Sequence, residues 1–381
     1  MSSSLDEPIY AFEAHHRDWK GDVCLYDDGK MARPGIDQGR YEFEKHHRLL
    51  LKWDHWSPEE LMWCEERQIY QNLQKTFSLR PVPVDAIRWN FANFWSGFDA
   101  LAFERHLLGV SGKHKFRISE QNPQIVFESV FGTPGKGRER WPKARQVWYT
   151  GENVAPPLDQ FDKCLSFHRD IKDPRHLRWP YYLLHLASLP MSFNDLVKCQ
   201  SSVSTWAERP GFCAFIAFNE GCQTRNRFVE KLSRYRRVDC PGRVLNNMTS
   251  ETLGQRGNLH GKINFLKQYK YAVCFENTST RGSEGYVTEK LVDAMLAGCI
   301  PLYWGDHRVG EDFNENSFIN LGVYGNDVNA MVQHVIELDS DERLQNNLFQ
   351  EPWLPEIKSS EHFSFETSKD AILKLVANVN K

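Results

Sequence analysis

The sequence lacks most of the features that assign a chain quickly. It has no CxxC pair, and its nine cysteines are scattered and odd in number. That excludes a zinc ribbon or a disulfide framework and fits reduced, mostly buried thiols. No run of about 18 apolar residues occurs, so no transmembrane segment is expected. The opening MSSSLDEPIYAFEAHHRDW has no apolar h-region, so it does not read as a signal peptide. A cytoplasmic protein is expected, in which the formal sequons at Asn247 and Asn277 carry no glycan. Neither charge sign dominates: 47 Lys+Arg face 50 Asp+Glu, a net charge of −3. No global basic field therefore points to nucleic acid. There is no internal repeat and no low-complexity tract. What is present is a globular composition, 41% hydrophobic and 13% aromatic over 381 residues. That length suits two ordinary domains and a small extra module.

Residues 1–80 read as a separate accessory module. Val23–Met31 is a β-hairpin with Asp28-Gly29 at its turn. Arg48–Trp53 is a strand. Ser57-Pro58-Glu59-Glu60 has the form of a helix start, with Ser57 as N-cap, and the helix is expected to run through Leu61, Trp63 and Arg67. The pattern then changes to alternating strands and helices. Ile87–Ala92, Gln124–Val130 and Gln146–Thr150 are strands, with helices over Phe98–Leu108 and Tyr181–Leu189. This βαβ logic gives a largely parallel sheet over 81–200, with ligand loops at the carboxyl ends of its strands.

A second α/β set occupies 201–360, with the boundary near Ser201-Ser202. Its expected strands are Phe212–Phe218, Tyr271–Phe275 and Ile300–Trp304. Its expected helices are Arg225–Tyr235, Ile263–Tyr269, Glu289–Ala297 and Asp327–Leu338. Residues 361–381 carry a last helix, Ser368–Val376, which packs back on the first domain.

Two strand-to-helix mouths in the second set carry cations. Thr288 is placed as N-cap and Gly298 as the left-handed residue after the helix, with Leu291, Ala294 and Met295 buried. Lys290 then lies in the first turn, where a cation opposes the helix dipole. Similarly, Thr224 is placed as N-cap and Arg225 at the first helical position. As plain surface chemistry, both are solvated charges, and Glu289 is an acid that suits a first turn. As site residues, two cationic helix mouths converge on one polyanion, a diphosphate, and Glu289 accepts from a ribose hydroxyl pair.

Asp339-Ser340-Asp341 is the chain's Asp-x-Asp triplet and lies where one helix ends and another begins, so Asp341 is expected to cap. His15-His16 and His46-His47 are adjacent and diverge on either element. No metal site is expected.

These residues match a family signature. Phe275-Glu-Asn277, Gly285-Tyr-Val-Thr-Glu-Lys290, Ala297-Gly298 and Ile300-Pro-Leu-Tyr-Trp-Gly305 closely resemble that of the α1,3-fucosyltransferases, glycosyltransferase family 10. The likeness extends over Phe212–Asn247 through Cys222-Gln-Thr-Arg-Asn226, and more weakly over Ile87–Phe98, Gln124–Gly132 and Trp148–Asn153. It implies an α/β GT-B fold: two Rossmann-like domains facing a cleft, here with the small hairpin-bearing module in front. It implies inverting transfer of L-fucose from GDP-fucose to a hydroxyl of an acceptor glycan, α1,3 to GlcNAc of an N-acetyllactosamine-type unit. By the same resemblance, Arg225 and Lys290 contact the donor diphosphate. Tyr286 and Glu289 lie on the nucleoside side, and Asn277 near the fucose or phosphates. Glu152 is the general base.

The chemistry agrees with those roles. A sugar hydroxyl is a weak nucleophile until its proton is accepted, and a positioned carboxylate contributes about 10²–10⁴ in rate. Departing GDP gathers negative charge that Arg225 and Lys290 suit, so no cofactor beyond the donor is expected. Trp95 is a candidate for stacking on acceptor C–H surfaces, with core packing as the other reading of its aromatic neighbours Trp89 and Phe98. Two alternatives stand beside this reading. One is a non-catalytic GDP-sugar or glycan-binding protein, which would not need the base. The other is a GT-B transferase using another GDP-sugar.

Overall fold

The computed structural model describes residues 8–33, 36–45, 47–82, 84, 87–98, 100, 103, 116–119, 122–187, 206–249, 259–279 and 282–354. The first of three sheets is a closed antiparallel barrel of eight strands in sequential order. They are β1 (Tyr10–His16), β2 (Trp19–Leu25), β3 (Lys30–Arg33), β4 (Asp37–Glu44), β5 (Arg48–Trp53), β6 (Glu59–Cys64), β7 (Ile69–Gln71) and β8 (Phe77–Val82). Closure comes from β1 against β8, with Ala11 opposite Val82 and His16 opposite Phe77. Alternation fills the lumen: Phe12, Ala14, Val23, Leu25, Leu49, Leu51, Leu61, Phe77 and Leu79 point inward and are buried.

The expected β2–β3 hairpin is there, with Gly29 in the left-handed region at φ 75°. The module is more than a hairpin, however, and the expected Ser57 helix is absent. Glu59–Cys64 is a strand, paired on one side with β5 and on the other with β7. Leu61 points inward between outward neighbours, so the stretch has period two from Glu60 to Trp63. Two pairing partners and that alternation override a local capping signal.

The second sheet is parallel, in the order β10-β9-β11-β12-β13-β14. Its strands are β9 (Ile87–Ala92), β10 (Phe116–Ile118), β11 (Ile125–Glu128), β12 (Arg145–Tyr149), β13 (Lys163–Ser166) and β14 (His176–Arg178). Short α1 (Lys136–Arg140) and α2 (Tyr181–Ala187) accompany it. Of the helix expected over Phe98–Leu108, Ala100 and Phe103 are helical and Phe98 is not; the rest lies outside the described residues.

The third sheet is also parallel, in the order β16-β15-β17-β18-β19. It comprises β15 (Gly211–Ala214), β16 (Val238–Asp239), β17 (Tyr269–Phe275), β18 (Ile300–Trp304) and β19 (Ile319–Asn320). Around it lie α3 (Gln223–Leu232), α4 (Leu259–Leu266), α5 (Glu289–Leu296), α6 (Val328–Ser340) and α7 (Glu342–Gln350). β15 is shorter than expected: its ladder with β16 has two residue pairs, followed by one bond from Phe215 N to Asp239 O at 2.9 Å. Asp341 caps α7, accepting from Arg343 N at 2.9 Å, which accounts for the Asp-x-Asp triplet without a ligand. Ser201-Ser202 and the Ser368–Val376 helix lie outside the described residues.

One hydrophobic core runs through both parallel sheets. It joins Trp89, Phe103, Tyr149 and Tyr182 to Leu291, Val292, Met295 and Tyr303. α2 packs on α5, and the His185 ring meets the Asp293 carboxylate there at 2.6 Å, both fully buried. The loops at the two carboxyl edges also meet, Asn153 after β12 donating to Ser283 after β17 at 2.9 Å.

Candidate active site

Strand β17 delivers Glu276 and Asn277 to the carboxyl edge of the third sheet. Glu276 has 0% exposure, and its carboxylate is fully engaged. It accepts from Thr288 N at 2.7 Å, from the Thr288 hydroxyl at 2.8 and 3.0 Å, and from Lys290 Nζ at 2.9 Å. Thr288 occupies the N-cap of α5, as its spacing predicts, but makes no side-chain capping bond. Its hydroxyl instead donates to the Glu276 carboxylate and accepts from Lys290 Nζ at 2.8 Å. The Lys290 ammonium thus has a protein counter-ion at the helix mouth, and Glu276, part of the Phe275-Glu-Asn277 motif but not among the expected site residues, organises that mouth. Leu291, Ala294 and Met295 are buried, and Gly298 ends the helix at φ 67°.

Arg225 is the second cation. α3 begins earlier than expected, at Gln223, with Cys222 rather than Thr224 at the N-cap. Arg225 is therefore its third residue and turns inward, 1% exposed. Nη1 donates to Asn277 Oδ1 at 2.9 Å and more weakly to Phe275 O at 3.5 Å; Nη2 donates to Asn219 O. Nε has no partner among the described residues. All these acceptors are neutral oxygens. Burial pulls the Arg225 pKa down, while Cys222, Glu276 and Tyr286 push back. The Asn277 side chain also lies near the buried Tyr286 hydroxyl, whose ring stands edge-on to Phe167 at 5.1 Å. Arg225, Asn277, Tyr286 and Lys290 are thus gathered at one sheet edge.

Glu289 belongs to a charge chain that local sequence signals did not reveal. Lys262 Nζ, from α4, lies 3.3 Å from Glu289 Oε1 and 2.7 Å from Asp293 Oδ2. Burial works to raise the Glu289 carboxyl, but Lys262, Lys290 and His185 outweigh it and hold it far below the ordinary range. Glu289 is therefore an anion throughout the physiological range.

Glu152 lies across the cleft, in the loop after β12. Its N–H donates to Thr150 Oγ1 at 2.9 Å, which fixes the turn. Next to it, Asn153 Nδ2 reaches the β17 loop, donating to Ser283 Oγ at 2.9 Å and to Thr278 Oγ1. That clamp brings Glu152 within electrostatic reach of Lys290, Glu289 and Glu276. The carboxylate is solvent-accessible, yet the cleft walls displace enough water to raise its pKa. Lys290 opposes the rise, and Glu289 and Glu276 add to it. Trp95 stands at the same edge, half-buried, with its ring edge-on to Tyr181 at 6.0 Å and Phe131 at 5.8 Å. Trp89, by contrast, is core.

A second ion cluster ties the two parallel sheets together. Arg169, from the loop after β13, donates to Asp306 at 2.9 Å and to Asp312 at 2.7 Å. Arg178 adds a bond to Asp312 at 2.6 Å. Beside it, Gly285 sits at φ 95°, and a Cβ there would lie 2.2 Å from Phe167 O. Only glycine allows that approach. Among the described residues no group of three or more His, Cys, Asp or Glu is arranged to hold a metal ion, and no helix is long and apolar enough to cross a membrane.

Comparison with known proteins follows the same division. The model of the C-terminal part of glycosyltransferase family 10 (fucosyltransferase) matches residues 207–377. That of the α-(1,3)-fucosyltransferase FucT N-terminal domain matches 89–185. The chain is 32% identical over 286 residues to the α-(1,3)-fucosyltransferase FucT of Helicobacter pylori, covering 67% of this chain and 57% of that one. It therefore spans a little over half the length of that relative. The crystal structure of an α1,3-fucosyltransferase superposes with a TM-score of 0.61 at 26% identity, over 77% of this chain and 90% of the other. One with GDP-fucose gives 0.58 at 25% identity, over 76% and 90%. The arrangement is that of GT-B-type glycosyltransferases. The barrel precedes both matched segments.

Proposed function

The chain belongs to glycosyltransferase family 10, the fucosyltransferases, and on that premise we propose that it transfers L-fucose from GDP-fucose to a glycan hydroxyl with inversion. In this scheme residues 201–360 hold the donor and residues 81–200 face the acceptor. The observation that carries it is Arg225: a guanidinium buried to 1% exposure and bonded to neutral oxygens, one of them on Asn277, the chain neighbour of the Glu276 that pairs with Lys290. Burying a cation without an anion is costly, and a diphosphate would complete its pairing bidentately. Tyr286 and Glu289 extend the same edge toward the nucleoside.

Glu152 takes the proton of the acceptor hydroxyl. The hydroxyl oxygen attacks the anomeric carbon of fucose while the bond from that carbon to the β-phosphate oxygen breaks. The electron pair leaves with GDP, whose charge Arg225 and Lys290 receive. The scheme asks for no cofactor besides the donor. An N-acetyllactosamine-type unit, fucosylated α1,3 on GlcNAc, is the proposed acceptor, and the Trp95 indole offers a face for it.

The test is GDP release from GDP-fucose, with and without N-acetyllactosamine, in EDTA, for the wild type and Glu152→Gln. Acceptor-dependent release that persists in EDTA and collapses in the variant is the expected result. Full activity in Glu152→Gln would remove Glu152 as the base, and donor binding without release on any galactosyl acceptor would reduce the protein to a binder.

A further inference from the structure

The two ends of the N-terminal barrel are built differently. At one end Trp19, Trp53, Trp56 and Phe77 pack together, and the Arg33 guanidinium stacks 3.9 Å over Trp19, so the lumen is plugged. At the other end the lumen is open. Tyr10 and Phe43 have the parity of inward-facing residues, yet they are 49% and 45% exposed. Their strands are not neighbours in the barrel, so their rings, 5.5 Å apart and edge-to-face, meet across the mouth rather than along a ladder. Tyr70 joins Phe43 at 6.2 Å and Trp63 at 5.1 Å. Together with Phe12 as floor and His47 on the rim they line a cavity of about 360 Å³.

We propose that this open mouth is a binding site for a neutral sugar ring of a glycan. Among the described residues no carboxylate, guanidinium or ammonium lines the cavity, which argues against a phosphate or an acidic ligand. The lumen beneath Phe12 is filled by Ala14, Leu49, Leu51, Leu61 and Leu79, so an acyl chain has nowhere to run. A shallow aromatic cup with hydroxyl and imidazole groups at its edge matches a ring that has C–H faces and hydroxyl edges. The volume is in the range of small-ligand sites. The choice of a sugar also rests in part on the transfer to a glycan proposed above.

Saturation-transfer NMR on the full chain, saturated with GDP, tests this against N-acetyllactosamine, lactose, cellotriose, chitotriose and mannotriose. The proteins are the wild type, Glu152→Gln, Trp63→Ala and Tyr10→Ser, the last at an exposed rim position that tolerates change; near-UV dichroism checks that each is folded. At least one sugar is expected to show contacts that persist in Glu152→Gln and weaken about tenfold in both barrel variants, as loss of a stacking ring implies. Sugar contacts indifferent to Tyr10 and Trp63, or no contacts with any of the five, would overturn the proposal. If GDP release on N-acetyllactosamine then continues, the barrel reading falls alone. If barrel-dependent contacts appear without any transfer, the transferase reading falls and the sugar site stands.

Discussion

The Lys290 ammonium lies 2.9 Å from the Glu276 carboxylate, in the first turn of a helix whose dipole opposes a cation. Each residue makes the other tolerable: the acid is fully buried and satisfies the helix start, and the lysine neutralises it.

Lys290→Met is expected to leave that carboxylate buried and unpaired. Breaking such a pair costs about 3–5 kcal/mol. Urea unfolding should show a lower midpoint at unchanged slope, and GDP affinity should fall in parallel. Glu276→Gln keeps the shape and two acceptor contacts, so its midpoint should drop less.

Arg225→Lys retains one positive charge but not the planar fork. With the Asn277 and Asn219 contacts both aimed at a guanidinium, the variant should fold yet bind GDP about 10-fold to 100-fold more weakly, a loss of about 1.4–2.8 kcal/mol. Titration calorimetry with GDP measures this directly. Unchanged affinity would place the diphosphate elsewhere.

A general base must be deprotonated to act. The Glu152 carboxyl, though exposed, is raised above its ordinary value because its surroundings displace part of its water, with Lys290 opposing and Glu289 and Glu276 adding. The acid limb of kcat/KM should therefore lie at higher pH than an exposed glutamate would give, with activity falling as pH drops through it. Lys290→Met removes the opposing cation and should move that limb further up. A limb at the ordinary glutamate value would dissociate it from this residue.

Arg169 is 4% exposed and serves two carboxylates that are themselves buried, Asp306 and Asp312. Arg169→Met should cost about 3–5 kcal/mol, as expected for an uncompensated buried charge. Because the contact joins the two parallel sheets, calorimetry should show a lower midpoint and a broader transition than in the wild type.

The segment from Phe275 to Asp306 was legible because its signals are local. A short, almost wholly apolar strand gives way to a helical stripe at Leu291, Ala294 and Met295, and Gly298 marks the stop. The inward turn of Arg225 was less legible, since the helix starts at Gln223, before the threonine that looked like its cap. Asp293 and His185 are 108 residues apart and Arg169 and Asp306 are 137, and nothing local announces either pairing. The barrel was misread for the opposite reason. Ser57-Pro58 presents a clear local signal, and strands on both sides overrule it.

The barrel is on a short leash. β8 ends at Val82, opposite Ala11 and so at the open mouth, and β9 begins at Ile87. Five chain steps reach at most about 18 Å. β9 then carries the chain about 16 Å further before the edge where Glu152 works. The open mouth and the edge where Glu152 works are therefore tethered within about 34 Å of each other, a span that one oligosaccharide of several sugars covers. An acceptor held on the barrel would then reach Glu152 without leaving the protein, so its second encounter is intramolecular.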